Sequence, residues 1–440
     1  VVSPIKTTIL ADGRDATVIN ISVVDSKGRE VPDANNLIKF TIKGEGKIIG
    51  VGNGNPSSHE PDKCAKGKWQ RMLFNGKCQL IIQSTSTSGV IAFEATSDSL
   101  WKGGTDIFTV PIQAPQSSVA TSKNSNQVKT APVKKEVEKT IGADISFLQE
   151  LEEKGIEFSH NGEKQDAILL LKEHGFNYIR LRIFNNPAAD SGYSPKKGYC
   201  DLQHTLAFAK RIKKAGLKLL LDFHYSDTWA DPGKQFKPAA WKDLPFPILK
   251  DSLYNYTKQV ITALKEQGTA PDMVQIGNEI NHGMVWPDGN VTDFNGLAEL
   301  FTAGREAVLA VAPSTIIMLH IALGGQNDES VFFIDNMLAR NVQFDVIGQS
   351  YYPQWHGSLS DLKNNLNDLV ARYNKDIIVV EYSAKKQEVH DIAFDLLNGK
   401  GKGTFIWEPL NTWEQIFDKQ GKSNEYLKLY DSFRDKYLLK

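Results

Sequence analysis

The chain has 440 residues, 41% hydrophobic and 23% charged, with a formal net charge of −1. This is an ordinary globular composition, and its charge balance gives no basis for binding nucleic acid or an anionic membrane surface. No apolar run approaches the roughly 20 residues of a membrane span, and three cysteines without metal spacing argue against a disulfide framework.

Residues 1–113 read as all-β. Thr17-Val18-Ile19-Asn20-Ile21-Ser22-Val23-Val24 and Ile38-Lys39-Phe40-Thr41-Ile42 alternate, and Gln79-Leu80-Ile81-Ile82-Gln83-Ser84 is a third run. Turn residues separate them, as in Asp25-Ser26-Lys27-Gly28 and Gly52-Asn53-Gly54-Asn55-Pro56. Short, regularly spaced strands of this kind predict a β-sandwich. Cys64 and Cys78 flank a plausible hairpin and could pair.

Residues 114–140 carry Ser, Thr, Asn, Gln, Lys and Pro and almost nothing to bury. Acids interleave Lys129 to Lys139, so the stretch reads as a solvated tether rather than a basic patch.

From residue 141 to 440, strand and helix patterns alternate, with strands ending near Asp144, Ile183, His224, Glu279, His320, Ser350, Glu381 and Trp407. Eight such repeats predict an α/β fold, a closed (β/α)8 TIM barrel, rather than an open doubly wound sheet. No Gly-rich phosphate fingerprint follows any of these strands.

In such a barrel, functional groups come from the C-terminal ends of the strands. Glu279 closes Val274-Gln275-Ile276-Gly277-Asn278-Glu279, and Glu381 closes Ile377-Ile378-Val379-Val380-Glu381. Two facing carboxyls are the minimum equipment for cleaving a glycosidic bond, one protonated to assist the leaving oxygen and one ionised. Arg182 beside a glutamate would hold that carboxylate ionised. Trp229, Trp355 and Trp407 offer flat faces for sugar rings.

A lone glutamate at a strand end is more often an ion-pair partner or helix cap. Two of them amid His, Tyr and Trp at eight strand ends reverse that balance. His224 and His320 lack the paired spacing of a zinc site, so no metal and no cofactor is expected. Arg180 shares a strand face with Arg182, and one of them could simply plug the barrel. Asp227 and Asp231 could brace their loop or bind sugar. Ser226 has no Gly-x-Ser-x-Gly elbow around it. Trp69 and Trp413 read as packing.

At these residues the chain resembles glycoside hydrolase family 53, the endo-β-1,4-galactanases. The segments that carry the resemblance are Gly142-Ala143-Asp144-Ile145-Ser146, His224 to Pro232, Ser350 to Gly357, and Trp407-Glu408-Pro409. The resemblance implies Glu279 as general acid/base, Glu381 as nucleophile, and Asn278 as the partner of the sugar 2-hydroxyl. It also implies Tyr351 or Tyr352 as the residue positioning the nucleophile, with His224, Trp229, His320 and Trp407 lining the cleft. Three departures stand out, one being the linked β-sandwich domain, which is not part of the core family pattern. Phe184 replaces the family's usual Trp, and the chain passes through Asn411-Thr412-Trp413-Glu414 without the long loop that carries calcium ligands in many bacterial relatives. The stretch from Gly50 to Pro61 with Phe74-Asn75-Gly76-Lys77-Cys78 resembles the immunoglobulin-like domains of some bacterial β-galactosidases.

The expected protein is a retaining endo-β-1,4-galactanase acting on β-1,4-galactan, a polysaccharide partner, as a monomer. An exo-acting relative or a non-catalytic glycan-binding protein is the alternative. Val1-Val2-Ser3-Pro4 lacks the layout of a signal peptide and there is no initiator Met, so the chain reads as a mature or trimmed form. Secretion, or a cell-surface or periplasmic location, is the expected setting.

Overall fold

The structure, a computed structural model, describes residues 1–439 apart from 6–7, 12, 26, 28, 65–67, 111–135 and 411–414. Most of the expected linker, 114–135, therefore lies outside the described residues. The chain divides into two compact units, Val1–Gln127 and Val128–Lys440.

The first unit holds two sheets. One orders Val2–Pro4, Ala16–Ser22, Lys77–Ser84 and Gly46–Gly52; the other orders Thr8–Leu10, Leu100–Val110, Gly89–Ser97, Leu37–Gly44 and Gln70–Met72. Period-two alternation builds the core. Along Lys77–Ser84, Cys78, Leu80, Ile82 and Ser84 are buried while Lys77, Gln79 and Ile81 are exposed. Ile19, Leu80 and Ile82 of one sheet share a buried cluster with Phe40, Ile91 and Ile107 of the other. Cys64 and Cys78 do not pair: all three cysteines are free, and the Cys64 thiol lies against the carbonyls of Pro61 and Gln70.

The second unit is a closed barrel of eight parallel strands in sequence order: Thr140–Asp144, Tyr178–Ile183, Lys218–Phe223, Met273–Ile276, Ile316–Ile321, Val346–Tyr351, Asp376–Tyr382 and Gly401–Trp407. The first strand pairs with the second and the eighth, which closes the ring. Helices such as Leu202–Lys214 and Phe246–Glu266 pack outside, the former with Phe208, Ala209 and Ile212 buried.

Both faces of each strand are buried, so the alternation separates two cores rather than core from solvent. Outward residues such as Ile179, Leu181, Leu221, Val274 and Leu319 join the layer beneath the helices. Inward residues change character along the strand. Tyr178, Leu220, Met273 and Met318 form an apolar plug, closed below by Val137. Two residues further on, the same phase gives Arg180, Asp222, Gln275 and His320, all buried. The apolar plug closes one end of the barrel and the polar layer opens toward the strands' C-terminal ends.

Candidate active site

Two local backbone features aim the glutamates. Strand four ends at Ile276, and Gly277 (φ +85°) and Glu279 (φ +48°) turn the chain so that Glu279 lies beyond the strand. A Cβ on Gly277 would meet Ile280 at 2.6 Å, so the turn requires glycine. On strand seven the pairing slips, with Gln349 opposite Val379 and Ser350 opposite Glu381. The extra residue is a bulge, a common device for redirecting a side chain beside a site. Val380 stays in the apolar plug while its neighbour Glu381 faces the cleft.

The cleft above has a volume of about 690 Å³ and is lined by Glu279, Glu381, His224, Asn278, Trp229, Trp355 and Trp407, among others. Glu279 and Glu381 bring carboxylate oxygens within 4.8 Å of each other.

Their surroundings differ. Glu381 takes a hydrogen bond from Tyr352 Oη at 2.8 Å and one from Arg180 Nη1 at 2.9 Å. Burial pushes its pKa up, and these two donors oppose that push. The Glu279 carboxyl accepts only from Ser350 Oγ, at 2.6 Å, among the described residues. Burial and the neighbouring Glu381 push its pKa up to about 8. When the pair holds one proton, Glu279 is where it sits, because Glu381 has the guanidinium.

Arg180, rather than Arg182, is the cation beside the cleft glutamate. Besides Glu381 it binds Asp144 at 3.0 Å, Asp222 at 2.9 Å and Asn278 Oδ1 at 2.9 Å. Arg182 reaches the other way, to Glu408 at 2.6 Å, with its guanidinium carbon 4.4 Å from the centre of the Phe147 ring and 4.5 Å from that of Trp229. It fixes the Trp229 platform by cation–π stacking.

The other expected residues divide into cleft wall and support. His224 lines the cleft, with Nδ1 accepting from the Ala230 amide at 3.0 Å and Nε2 facing Asp222 at 3.1 Å. Asn278 also lines it, and donates to Ala230 O at 2.9 Å. Trp355 is 58% exposed at the rim. Three expectations need correction. His320 is fully buried, beneath the floor rather than in the wall, because it sits at an inward position of strand five covered by Ser350 and Glu279. Tyr351 ends strand six facing outward, and its hydroxyl donates to Gly357 O at 3.1 Å, so of the two tyrosines Tyr352 reaches Glu381. Asp227 braces its loop, accepting from the Asn186 amide at 2.9 Å and the Ala239 amide at 2.8 Å.

Phe184 is buried behind Trp229, with ring centroids 5.8 Å apart. Sequence reasoning missed Gln275, Ser350, Asp222 and Phe147. Gln275 could have been found as the polar residue interrupting Met273-Val274-Ile276 at an inward position. Among the described residues, Glu279, His320 and Glu381 form the single trio with metal-ligand spacing. Both nitrogens of His320 are already hydrogen-bonded, to Gln275 and Ser350, so the trio fits a carboxylate pair better than a metal nest. Residues 411–414, where the shortened calcium-loop segment falls, lie outside the described residues.

A parallel barrel with two facing glutamates at the C-terminal ends of strands four and seven, in an aromatic-walled cleft, defines the paired-carboxylate class of glycoside hydrolases. The sequence profile for Glycosyl hydrolase family 53 matches residues 140–400. A profile for Glycoside hydrolase family 2 C-terminal domain 5 matches residues 1–105. An "Uncharacterized protein in bgaB 5'region" of Niallia circulans is 46% identical over 250 residues, 55% of this chain and 66% of that protein. The "Endo-beta-1,4-galactanase" of Bacillus subtilis (strain 168) is 37% identical over 243 residues, 55% of this chain and 56% of that protein. The match thus spans less than two thirds of the length of both. The solved Ignisphaera aggregans GH53 catalytic domain superposes with a TM-score of 0.63 at 34% identity, covering 68% of this chain and 98% of that one. The chain belongs to glycosyl hydrolase family 53.

Proposed function

We propose that this chain is a retaining endo-β-1,4-galactanase that cleaves β-1,4-galactan, such as pectin side chains, by double displacement. The observation that carries the reading is the glutamate pair, with oxygens within 4.8 Å of each other. This close approach of one oxygen from each carboxyl favours the roughly 5–5.5 Å carboxyl separation of a direct nucleophile over the roughly 6.5–9.5 Å of an inverting enzyme.

In the first step Glu381 attacks the anomeric carbon while the bond to the leaving chain breaks, and Glu279 gives its proton to the departing oxygen. In the second, Glu279 takes a proton from water, the water attacks the same carbon, and Glu381 leaves. Tyr352 and Arg180 keep Glu381 ionised and oriented. Asn278, held by Arg180 and Ala230, offers its remaining amide hydrogen to the sugar 2-hydroxyl. Trp229, Trp355 and Trp407 form apolar platforms for sugar rings, with His224 in the wall between. The relatives named as galactanases support the substrate.

Among the described residues no helix is long and apolar enough to cross a membrane. A polymeric substrate of plant walls places the enzyme outside the cell, and the two-sheet unit acts as an immunoglobulin-like spacer. The test is incubation with linear β-1,4-galactan beside mannan, xylan and β-glucan, following reducing ends and product sizes. A ladder of oligosaccharides from galactan alone is expected. Release from another polymer instead would overturn the substrate, and a single small product would overturn endo action.

A further inference from the structure

Beneath the cleft floor a buried path of hydrogen bonds joins the two glutamates. Arg180 donates from Nη1 to Glu381 at 2.9 Å and from Nε to Gln275 Oε1 at 2.8 Å. A guanidinium only donates, so the orientation of the Gln275 amide is fixed. Its Nε2 then donates to Asp222 Oδ1 at 3.1 Å and to His320 Nδ1 at 2.9 Å. The Glu279 backbone amide also points at that nitrogen, at 3.3 Å. His320 Nδ1 therefore accepts.

Burial and Arg180 hold the His320 pKa well below its usual value, so the ring is neutral and its single proton is on Nε2. Nε2 faces Ser350 Oγ at 2.9 Å. Having accepted there, the Ser350 hydroxyl sends its own proton to Glu279 Oε1 at 2.6 Å. Gln275, His320 and Ser350 are all fully buried, so no solvent competes for these bonds. The donors run outward from Arg180 to both carboxylates, and none is left to choice.

We propose that Ser350, oriented by His320 and Gln275, is a positioning residue that selects which oxygen of Glu279 carries the acid proton. Oε1 is committed to accepting from Ser350. Oε2 has no hydrogen-bond partner among the described residues, so the proton resides there, on the oxygen free to meet the leaving group. This rests on reading Glu279 as the acid/base. Besides Ser350, the groups that act on Glu279 are Glu381 and Tyr352 across the cleft, Arg180 below, and Asp231 on the loop after strand three.

Without the Ser350 hydroxyl the proton can settle on either oxygen, and ionised Glu279 loses its donor. The test compares kcat/KM of the full chain on galactan, whose leaving group needs a proton, and on a dinitrophenyl β-galactobioside, whose leaving group does not. Glu279→Ala comes first. A loss confined to galactan supports the acid/base reading; wild-type-like cleavage of galactan overturns that reading itself, before Ser350 is tested. Ser350→Ala should then lose about 10- to 100-fold on galactan, at least about tenfold more than on the aryl substrate. The alkaline limb of its pH profile should move to higher pH, and Ser350→Thr should restore both. Equal losses on the two substrates, or an unmoved limb, would overturn the positioning role while leaving the acid/base assignment intact.

Discussion

The Tyr352 hydroxyl donates to Glu381 Oε1 at 2.8 Å, so one phenol and one guanidinium occupy the two oxygens of the same carboxylate. Burial and the adjacent Glu381 keep the phenol protonated, because they push its pKa well above the usual tyrosine value. A hydrogen bond to a charged group contributes about 1.5–3 kcal/mol, so Tyr352→Phe should lower kcat roughly 10- to 100-fold. The lost donor also lets the Glu381 pKa rise, which moves the acid limb of the pH profile upward. An unchanged rate and limb would remove Tyr352 from the site.

Glu381→Gln keeps the shape of the side chain and removes the carboxylate proposed as nucleophile. Turnover of galactan should fall by at least about a thousandfold, while oligosaccharide binding, read from tryptophan fluorescence at Trp229 and Trp355, persists. Wild-type-like turnover would sink the assignment.

The raised pKa of Glu279 has a sign that can be checked in stability as well as rate. Its folded pKa lies near 8, above the usual value of 4.5, so the folded protein binds a proton there that the unfolded chain releases. That contribution is complete below about pH 4.5 and is lost as pH rises toward 8. Glu279→Gln never carries the charge, so its melting temperature should gain on the wild type steadily from pH 5 to 8. In the wild type, kcat/KM should fall over the same upper range as the acid loses its proton. A melting difference that shrinks with pH would contradict the buried, proton-holding Glu279.

Asp227 ties two backbone amides, those of Asn186 and Ala239, to the loop that carries Trp229. Asp227→Ala removes the partner of both amides in a part-buried setting and should cost about 1 kcal/mol in denaturant melts. A raised KM with an unchanged melt would return Asp227 to sugar binding.

The barrel was legible because a parallel sheet buried on both faces writes each strand as an apolar run that ends in polar or aromatic residues. The strands end at Asp144, Ile183 and Trp407 as the sequence pattern indicates, while Glu279 lies three residues past the end of strand four, beyond a turn that needs Gly277. The pairing of partners was less legible. Arg180 and Arg182 have the same inward phase, and only the stagger between strands, which leaves no mark in the sequence, decides which one reaches Glu381. Parity could have separated Tyr351 from Tyr352, since Tyr351 faces outward at the end of its strand. Gln275 was hidden as a polar residue within an apolar run, and Ser350 was read only as the end of its strand, although their inward positions placed them beneath the cleft.

The most direct test of the paired-glutamate account is the anomeric configuration of the first product, read by proton NMR within minutes of adding the full chain to galactan. Attack by Glu381 followed by water on the same carbon inverts twice, so the new reducing end should appear as the β-anomer and only later equilibrate. An α-anomer appearing first would mean single displacement by water, and Glu381 would not be the nucleophile.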